Sequence, residues 1–355
     1  MRGKRSVDPG SGPEAERPLL GRCIAVTGAA GFIGAFTAAE LAARGGSVVA
    51  IDRDPGPRTQ LIDPIASGRI ELVAAPTRWP YPESWWTEVE RTGLLDPVDT
   101  VVHLGYAEPT VADPLTAYRQ EVEANVGPTI DLLERLGSRV ETICLASSSL
   151  IYGRGHRAAI PETTEPRPDS PYGLAKLDVE RALAWWAGDG RQAVAARIAT
   201  VYGPTETVPR AVPTFVRAVL AGRRPEIAVG DDRRDYIHVG DVARGLAALV
   251  GAASTIVGPG RCSAINLGTG RATTTLELAR SILDLVGSSA EPVLSEPNRG
   301  SVSVVVDPTL LHRSTGFEPS VELRSGLAEE VAWFRRRPEL WSVAASGSRP
   351  MGAGP

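Results

Sequence analysis

Residues 22–52 read RCIAVTGAAGFIGAFTAAELAARGGSVVAID, and this stretch decides the fold. Its first apolar run, CIAVTG, is rich in β-branched residues and predicts a buried strand. The pattern next predicts a helix from about Phe32 to Ala43, which ends at the glycine pair Gly45 and Gly46, and then a second buried strand, SVVAID. A strand, a tight turn, a helix and a strand in this order predict the first unit of a parallel sheet.

The rest of the chain continues this alternation. Further strand-like runs are IELVAA, TVVHLGY, VETICLASSS and AVAARIATVYG, with helical patterns such as TIDLLERLG and YGLAKLDVERALAWWA between them. We therefore predict the α/β class, with a Rossmann-type doubly wound parallel sheet. After Gly203 the prolines cluster and the elements become short, which indicates a smaller C-terminal α+β lobe for substrate.

The composition at the two ends sets the predicted boundaries. Residues 1–20 and 341–355 are rich in Gly, Pro and Ser, and we predict that both are disordered tails. Residues 21–203 are predicted to form the dinucleotide-binding Rossmann domain. Residues 204–340 are predicted to form mainly the substrate-binding lobe, interleaved with the last strands of the sheet.

Charge and cysteine content exclude several classes of function. The 355 residues carry a formal net charge of -4, with Lys and Arg scattered, so no nucleic acid is expected. No apolar run reaches the roughly 20 residues of a membrane span, so no membrane is expected. Cys23, Cys144 and Cys262 are far apart in apolar runs. We expect three buried thiols in a reducing cytoplasm and no metal site.

The glycine loop predicts a dinucleotide. Gly28, Gly31 and Gly34 have the spacing G-x-x-G-x-x-G between a predicted strand and a predicted helix. The first allows the tight turn, the second lets a pyrophosphate approach the backbone, and the third lets helix and strand pack closely. Asp52 closes the second strand, where a carboxylate binds the ribose hydroxyls of NAD and repels the 2′-phosphate of NADP. Arg53 follows and could bind that phosphate, but Asp52 favours NAD.

The stretch SPYGLAKLDVE, residues 170–180, places Tyr172 and Lys176 four residues apart at the start of a predicted helix. Four residues are about one turn, so both side chains project from one face. A surface helix can carry such a pair by accident. An enzyme can use it to place an ammonium group beside a phenol.

Eight motifs in chain order resemble one family. They are TGAAGFIG, HLGYA for the family's H-L-A-A, Asn125-Val126, SSSLIYG, SPYGLAK, ARIATVYGP, RDYIHVGDVA and INLGTG. Over about residues 21 to 337 the chain resembles the extended short-chain dehydrogenases/reductases of the NAD-dependent epimerase/dehydratase group. Each motif alone is weak, and their common order is what makes the resemblance specific.

The resemblance implies catalytic roles. Tyr172 matches the family's base, and because a free phenol has a pKa near about 10, Lys176 and the cationic nicotinamide would stabilise its phenolate. Ser148 matches the catalytic Ser/Thr position, with Ser147 and Ser149 as alternatives in register. Asn125 matches a helix position that supports the site.

The resemblance also implies NAD as the cofactor and a nucleotide sugar as the substrate. Arg234 and Arg299 are candidates for its phosphates, because a guanidinium group binds phosphate in a bidentate manner. The predicted cofactor-binding residues are Gly28, Ala30, Gly31, Phe32, Ile33, Gly34, Asp52, Arg53, Leu104, Tyr172 and Lys176. The predicted substrate-binding residues are Ser148, Ser149, Tyr172, Thr200, Arg234 and Arg299.

Three departures from the family pattern lie around the binding surfaces. The segment LVAAPTRWPYPESWW lacks the acidic residue with which relatives bind adenine, and Ala199-Thr200 replaces their Phe-Asn pair. The spacing from Asp113 to Asn125 is about four residues longer, or roughly one extra helical turn. These departures affect the residues that would bind the substrate, and they leave the motifs of the predicted catalytic residues unchanged.

Several reactions of the family compete. Sugar 4,6-dehydratases carry Asp-Glu after the catalytic Thr, and decarboxylating relatives carry Glu at the second of these positions. Here Ser149 and Leu150 stand there, so the proton donor for elimination is missing. A reductase would more often use NADPH, which Asp52 disfavours.

We therefore predict an NAD-dependent nucleotide-sugar epimerase that oxidises carbon 4 transiently, acting on a UDP-hexose or UDP-hexuronate. An NAD(P)-dependent keto-sugar reductase or alcohol dehydrogenase is the alternative. A catalytically inactive NAD-sensing regulator on the same fold is a more remote one. By the same resemblance we expect a homodimer.

Overall fold

The computed structural model describes residues 19–53, 59–75, 79–188, 190–228, 232–258, 260–294 and 303–342. Most of the two predicted tails therefore lies outside the described residues. Leu19, however, is fully buried, and Trp341 Nε1 donates a hydrogen bond to Phe334 O at 2.9 Å. Both residues pack on the folded chain, so the predicted boundaries at 21 and 340 are slightly too narrow.

The described residues contain the following strands in chain order: β1 (Cys23–Thr27), β2 (Ser47–Arg53), β3 (Ile70–Ala75), β4 (Thr100–His103), β5 (Thr142–Ser148), β6 (Gln192–Ile198), β7 (Thr200–Tyr202), β8 (Glu226–Ile227), β9 (Arg233–His238), β10 (Arg261–Leu267), β11 (Ala272–Thr274), β12 (Val293–Leu294) and β13 (Ser303–Val304). The helices in the same residues are α1 (Phe32–Ala43), α2 (Thr59–Ala66), α3 (Glu83–Thr92), α4 (Pro114–Glu121), α5 (Gly127–Leu136), α6 (Pro171–Ala187), α7 (Ala211–Leu220), α8 (Val239–Ile256), α9 (Thr275–Leu285), α10 (Thr309–Thr315) and α11 (Leu323–Arg335).

The central sheet has seven parallel strands within the described residues, in the order β3–β2–β1–β4–β5–β6–β10. Every residue of β4 and nearly every residue of β6 is buried, as expected for strands covered on both faces. The strand order reverses between β1 and β4, which is where a doubly wound sheet opens a crevice for ligands. The predicted fold class is confirmed.

One predicted strand is divided in two. The run AVAARIATVYG forms β6, which belongs to the central sheet, and β7, which pairs with β9 in a second, four-stranded sheet of β7, β9, β11 and β13. The break falls at Ala199, whose N–H donates to Leu267 O at 2.9 Å. The chain therefore passes from the first sheet to the second immediately before Thr200.

Helices cover both faces of the central sheet. Apolar residues of α1 and α8 pack in one buried cluster on one face, and those of α3, α5 and α6 pack in another cluster on the opposite face. A third cluster joins α7, α9 and α11 to the second sheet. Among the described helices, α8 alone is long and apolar enough to cross a membrane, but 56% of it is buried in the protein. A buried core helix passes the same test.

The chain between Asp113 and Leu136 is helical throughout. Asp113 caps α4 by accepting a hydrogen bond from Thr116 N at 2.8 Å. A π-helical turn, Val122–Val126, then connects α4 to α5. Asn125 lies in this turn, which is an uncommon geometry that is often found at functional sites.

The expectation of three buried thiols is partly wrong. Cys144 is buried, but Cys23 and Cys262 are half-buried, because Cys23 begins β1 and Cys262 lies on the edge strand β10. Of the tryptophans, Trp85 and Trp86 pack together with ring centroids 4.9 Å apart, whereas Trp185 is 87% exposed. Within the described residues, no group of three or more His, Cys, Asp or Glu side chains could hold a metal ion.

Candidate active site

The glycine loop joins β1 to α1 and packs against the chain that follows β4. Gly28 has φ +68°, in the left-handed region, and a Cβ there would lie 2.9 Å from the backbone of Leu104 and Gly105. A Cβ at Gly34 would overlap the carbonyl oxygen of Gly28. A side chain at Gly28 would push the loop away from the chain after β4, and one at Gly34 would push α1 away from the loop, so this packing requires both glycines.

The start of α1 is suited to an anion. The helix begins at Phe32, and no side chain caps it at Gly31 among the described residues. The first N–H groups of a helix have no partner within the helix and carry partial positive charge, so they favour a pyrophosphate. The predicted cofactor residues Ala30, Phe32 and Ile33 lie in this loop and first turn. The loop therefore fits the diphosphate of NAD.

Asp52 lies at the end of β2, beside the glycine loop. Its Oδ2 accepts a hydrogen bond from Ala30 N at 2.9 Å, and the residue is only 7% exposed. Leu104 follows β4, and its N–H donates to Thr27 O at 3.2 Å. The glycine loop, Asp52 and Leu104 thus lie at the carboxyl ends of adjacent strands, which is where this kind of sheet binds a dinucleotide. The side chain of Arg53 lies outside the described residues.

Tyr81 connects the glycine loop to β2 by hydrogen bonds, and this residue was not predicted from the sequence. Its hydroxyl donates to Ile51 O at 2.9 Å and accepts from Gly28 N at 3.4 Å. Burial and the nearby carboxylate of Asp52 raise the pKa of Tyr81, so this phenol stays protonated. The available signal was the aromatic segment WPYPESWW, of which we noted only that it lacks the acidic residue of relatives. Thr77 and Arg78, which lie in the same segment and could take the place of the missing acidic residue, are outside the described residues.

Tyr172 and Lys176 lie one turn apart at the start of α6. Ser170 caps this helix by accepting a hydrogen bond from Gly173 N at 3.1 Å, and a proline occupies its first turn. Lys176 Nζ donates to Ala146 O at 2.9 Å and lies 5.7 Å from the centroid of the Tyr172 ring. The helix start therefore places an ammonium group beside a phenol, at the carboxyl end of β5.

Three successive serines at the end of β5 have different environments. Ser147 Oγ donates to Glu180, so its hydroxyl is committed to the protein interior. Ser148 Oγ accepts a hydrogen bond from Leu150 N at 3.2 Å, and no described residue accepts its proton. Ser149 is buried at the start of the 3-10 turn that follows. These contacts favour Ser148 over Ser147 as the residue that meets a ligand.

The turn after Ser148 packs directly on the start of α6. A Cβ at Gly173 would lie 2.7 Å from Leu150 O, which shows how closely the two backbones approach. Because Tyr172 precedes this glycine, the turn that holds Ser148 and the turn that holds Tyr172 are in contact. The structure therefore brings the predicted residues Ser148, Tyr172 and Lys176 to one edge of the sheet.

A buried polar network lies beneath this edge. Arg197 Nη2 pairs with Glu180 Oε2 at 2.8 Å, and Arg197 Nη1 donates to Tyr152 OH at 3.0 Å. Tyr152 OH in turn donates to Asn266 Oδ1 at 2.8 Å. The sequence reasoning missed this network. Its signal was an arginine inside the apolar run of β6, because a buried charge requires a partner.

Asn125 holds the loop after β4. Its Nδ2 donates to Ala107 O at 2.8 Å and to Glu121 Oε2 at 2.7 Å, and its Oδ1 accepts from Ala107 N at 2.8 Å. Glu121 Oε1 also accepts a hydrogen bond from Tyr106 OH at 2.7 Å. Asn125 thus connects the π-helical turn to the loop that borders the site. Tyr106 and Glu121 were not identified from the sequence.

His103 has a structural environment. Its Nδ1 lies 2.7 Å from Thr27 Oγ1 and its Nε2 lies 3.1 Å from Thr129 Oγ1. Burial, with a smaller effect of the charge on Lys176, lowers the pKa of His103 to about 3. The imidazole is therefore neutral at physiological pH and joins β1, β4 and α5.

The predicted substrate residues of the second sheet lie on neighbouring strands. Thr200 begins β7 and stands opposite Tyr236 of β9, two residues after Arg234. Both Thr200 and Arg234 are half-buried, and Arg234 forms no ion pair within the described part of the chain. Arg299 lies outside the described residues. A half-buried guanidinium group without a carboxylate partner is suited to an anionic ligand.

Comparison with known proteins identifies the family. The sequence profile of the NAD dependent epimerase/dehydratase family matches residues 24–268. The chain therefore belongs to this family of enzymes, and the predicted cofactor, NAD, is confirmed.

Relatives of both reaction types are similar to the chain. A dTDP-glucose 4,6-dehydratase of Actinoplanes sp. is 29% identical over 332 residues, which cover 90% of this chain and 99% of that protein. A UDP-glucose 4-epimerase of Mycolicibacterium smegmatis is 30% identical over 323 residues, which cover 88% of this chain and 98% of that protein. The solved structure of MoeE5 in complex with UDP-glucose and NAD has a TM-score of 0.73 and 31% identity, and the match covers 88% of this chain and 98% of that chain.

Proposed function

We propose that the protein is an NAD-dependent nucleotide-sugar 4-epimerase that acts on a UDP-hexose or UDP-hexuronate. The observation that carries the proposal is the set of side chains where β5 meets α6. Ser148, Tyr172 and Lys176 lie together there, and the two positions after Ser148 hold Ser149 and Leu150. Epimerisation needs one group that takes and returns a hydroxyl proton, whereas elimination of water needs an additional acid.

Each residue of this set has one role in the proposal. Tyr172 takes the proton of the hydroxyl at sugar carbon 4 and later returns it. The Lys176 ammonium group offsets the charge that Tyr172 gains, and Ser148 donates a hydrogen bond to the same oxygen. The glycine loop binds the pyrophosphate of NAD, and Asp52 binds its adenosine ribose. NAD held there would supply the hydride acceptor for carbon 4 and, once reduced, the hydride donor to the opposite face.

A 4,6-dehydratase is the competing reaction, because relatives of that activity are similar to the chain. Two buried carboxylates, Glu180 and Glu121, lie near the site. Glu180 is paired with Arg197 at 2.8 Å. Both oxygens of Glu121 accept hydrogen bonds, one from Tyr106 at 2.7 Å and the other from Asn125 at 2.7 Å. A carboxylate engaged in this way is poorly suited to protonate a leaving hydroxyl, and these contacts favour epimerisation.

Two of the proposed substrate-binding residues, Thr200 and Arg234, lie in the second sheet. Arg234 is half-buried and would bind the diphosphate of the nucleotide sugar, together with Arg299. Thr200 and Ser149 would border the sugar. The nucleotide and the sugar are proposed from relatives such as MoeE5, whose structure holds UDP-glucose and NAD.

We also propose a homodimer that forms through α4, α5 and α6. Large apolar side chains are exposed on these helices and on the π-helical turn between α4 and α5: Leu115, Val122, Ile130 and Trp185. Tyr118 of α4 donates to Asp178 of α6 at 2.7 Å, so the two helices lie side by side. Asp178 precedes Trp185 by about two helical turns, on the same face of α6. A second copy of the chain would cover this apolar surface.

The product of the reaction tests the proposed function. The purified protein is incubated with a catalytic amount of NAD and a panel of UDP-, dTDP- and GDP-sugars, and proton NMR follows the products while absorbance follows reduced cofactor. We expect a 4-epimer that reaches equilibrium without net reduced cofactor, and no product from Tyr172→Phe. A 4-keto-6-deoxy sugar would establish a dehydratase instead. Stoichiometric NADH, or turnover only with NAD(P)H, would establish a dehydrogenase or reductase. Full cellular function of Tyr172→Phe would favour a regulator.

A further inference from the structure

Tyr106 contacts both members of the Tyr172–Lys176 pair. Its ring lies edge-to-face against the Tyr172 ring, with centroids 5.4 Å apart and an interplanar angle of 85°. Lys176 Nζ lies 5.2 Å from the centroid of the Tyr106 ring and 5.7 Å from that of Tyr172. The ammonium group therefore faces two aromatic rings, an arrangement that is attractive electrostatically. The family pattern H-L-A-A has alanine where Tyr106 stands in HLGYA, so this chain carries a larger side chain than that pattern at this position.

The hydroxyl of Tyr106 is held by Glu121. It donates to Glu121 Oε1 at 2.7 Å, and Glu121 Oε2 accepts from Asn125 Nδ2 at 2.7 Å. Glu121 is 1% exposed and lies at the end of α4, immediately before the π-helical turn. Asn125 also bonds the backbone of Ala107, the residue after Tyr106. The side chain and the backbone of this loop are thus held by two residues one turn apart on one helix.

We propose that Tyr106 is a positioning residue that holds Lys176 and Tyr172 in their mutual orientation, and that Glu121 is the anchor that fixes Tyr106. This inference rests on the proposed function only in treating Tyr172 and Lys176 as the catalytic pair. An edge-to-face contact restricts the rotation of the Tyr172 ring, and the face of the Tyr106 ring limits where the ammonium group can move. Reacting groups held in this way lose less freedom when substrate binds.

The surroundings of Tyr106 also decide which of the two phenols can give up a proton. The titratable groups that face Tyr106 are Glu121 on α4, Tyr172 on α6 and Glu108 on its own loop, and the charged Lys176 lies over its ring. Burial and the hydrogen bond to Glu121 raise the pKa of Tyr106. Tyr106 therefore stays protonated and serves as a ring, which leaves Tyr172 as the phenol that exchanges the proton.

The sequence makes a direct test of this orientation possible. Lys4 and Lys176 are the only lysines in the chain. Selective ¹³C labelling of lysine therefore gives one side-chain signal for each of them, and Lys4 serves as the reference. We expect ring currents to move the Lys176 signal away from that of Lys4. Tyr106→Phe keeps both rings near Lys176 and should keep most of this shift, whereas Tyr106→Leu leaves only the Tyr172 ring and should clearly change it. This measurement requires no turnover, so it tests the inference even if the proposed reaction is wrong.

Kinetics test the functional consequence. For the nucleotide sugar that the wild type converts, Tyr106→Leu is expected to lower kcat about tenfold or more with little change in KM, and Tyr106→Phe to recover most of the rate. The kcat of Glu121→Gln should lie between those of Tyr106→Leu and Tyr106→Phe. The matched control is Tyr118→Phe, which removes a hydroxyl–carboxylate bond of the same 2.7 Å length to Asp178 and should leave kcat unchanged.

Two results would overturn the inference. One is a Lys176 signal in Tyr106→Leu that is identical to that of the wild type. The other is a kcat of Tyr106→Leu that equals the wild-type value, or that is lowered no more than in Tyr118→Phe. If Tyr106→Leu does not fold, Glu121→Gln decides the question: a wild-type Lys176 signal together with a wild-type kcat in Glu121→Gln would overturn the inference, because the anchor would then have no positioning role.

Discussion

Glu180 of α6 and Arg197 of β6 form a buried ion pair, with 2.8 Å between Glu180 Oε2 and Arg197 Nη2. Glu180 lies one turn after Lys176 on the same helix, and its other oxygen accepts a hydrogen bond from Ser147. Ser147 precedes Ser148 in β5. Glu180 thus joins the helix that carries Tyr172 and Lys176 to β6 through Arg197 and to the strand that carries Ser148 through Ser147. These two contacts fix the relative position of the helix and the two strands from within the protein.

We predict that Arg197→Met destabilises the protein strongly. It would leave the carboxylate of Glu180 buried without its charged partner, which costs about 3–5 kcal/mol. The measurement is the free energy of unfolding from urea denaturation. The control is Arg181→Met, which removes the exposed partner of Asp178 on the same helix and should cost less than about 1 kcal/mol. Equal losses in the two variants would contradict the structural role of the buried pair.

Asp52→Asn should change the preference between cofactors. The amide oxygen of the substituted side chain can still accept the hydrogen bond from Ala30 N, but the amide lacks the charge that binds the ribose hydroxyls and repels a 2′-phosphate. Loss of a hydrogen bond to a charged group costs about 1.5–3 kcal/mol, so the Kd for NAD should rise about 10- to 100-fold and that for NADP should fall. Titration calorimetry measures both. Asp96→Asn, which changes an exposed carboxyl group, is the control. An unchanged affinity of Asp52→Asn for NAD would show that Asp52 does not bind the cofactor.

Two buried carboxyl groups in the second lobe should make stability depend on pH. Burial raises the pKa of Glu206 to about 7, although Arg210 and Arg217 oppose this shift. Burial and the proximity of Glu206 raise the pKa of Glu330 well above its usual range. Glu206 therefore holds a proton in the folded state over a pH range, from about 4.5 to about 7, in which the unfolded chain has lost it. The free energy of unfolding must fall as the pH rises through this range.

We predict that Glu206→Gln reduces this fall. Because each unit of pKa shift corresponds to about 1.4 kcal/mol, the variant should lose about 2–3 kcal/mol less than the wild type between about pH 5 and pH 8. Urea denaturation at several pH values measures the difference. Glu322→Gln changes an exposed carboxyl group and should follow the wild type. Parallel curves for Glu206→Gln and the wild type would show that Glu206 does not bind a proton on folding.

The proposed dimer predicts a change in oligomeric state. Trp185 is 87% exposed, and Trp185→Arg should give a monomer where the wild type gives a dimer, because a charge would be buried in the interface. Light scattering coupled to size-exclusion chromatography measures the mass. Leu294→Arg alters another exposed apolar side chain, outside these helices, and should leave the dimer intact. A monomeric wild type would contradict the proposal.

The features that the sequence predicted are those that local pattern determines. Helix α1 has the predicted bounds, Phe32 and Ala43, because the glycine loop and the glycines after the helix define its ends. Tyr172 and Lys176 lie beside each other because a helix places residues four apart on one face. Asp52 lies at the loop because β2 ends there.

The features that it missed depend on contacts between distant parts of the chain. Tyr106 meets Glu121, and Arg197 meets Glu180, only after separate elements have packed. The division of one predicted strand at Ala199 likewise depends on its pairing with two different sheets, which a continuous apolar run cannot reveal. Long-range packing, rather than local propensity, therefore accounts for what the sequence reasoning missed.

The most direct test of the central claim follows the hydrogen atom at carbon 4 of the sugar. The protein is given a nucleotide sugar that carries deuterium at carbon 4, together with a catalytic amount of NAD, and the product is analysed by NMR and mass spectrometry. A 4-epimerase built from Ser148, Tyr172 and Lys176 should return the deuterium to carbon 4 of the inverted sugar, with no change in mass. Deuterium at carbon 6, in a product that has lost water, would contradict this account and establish a dehydratase.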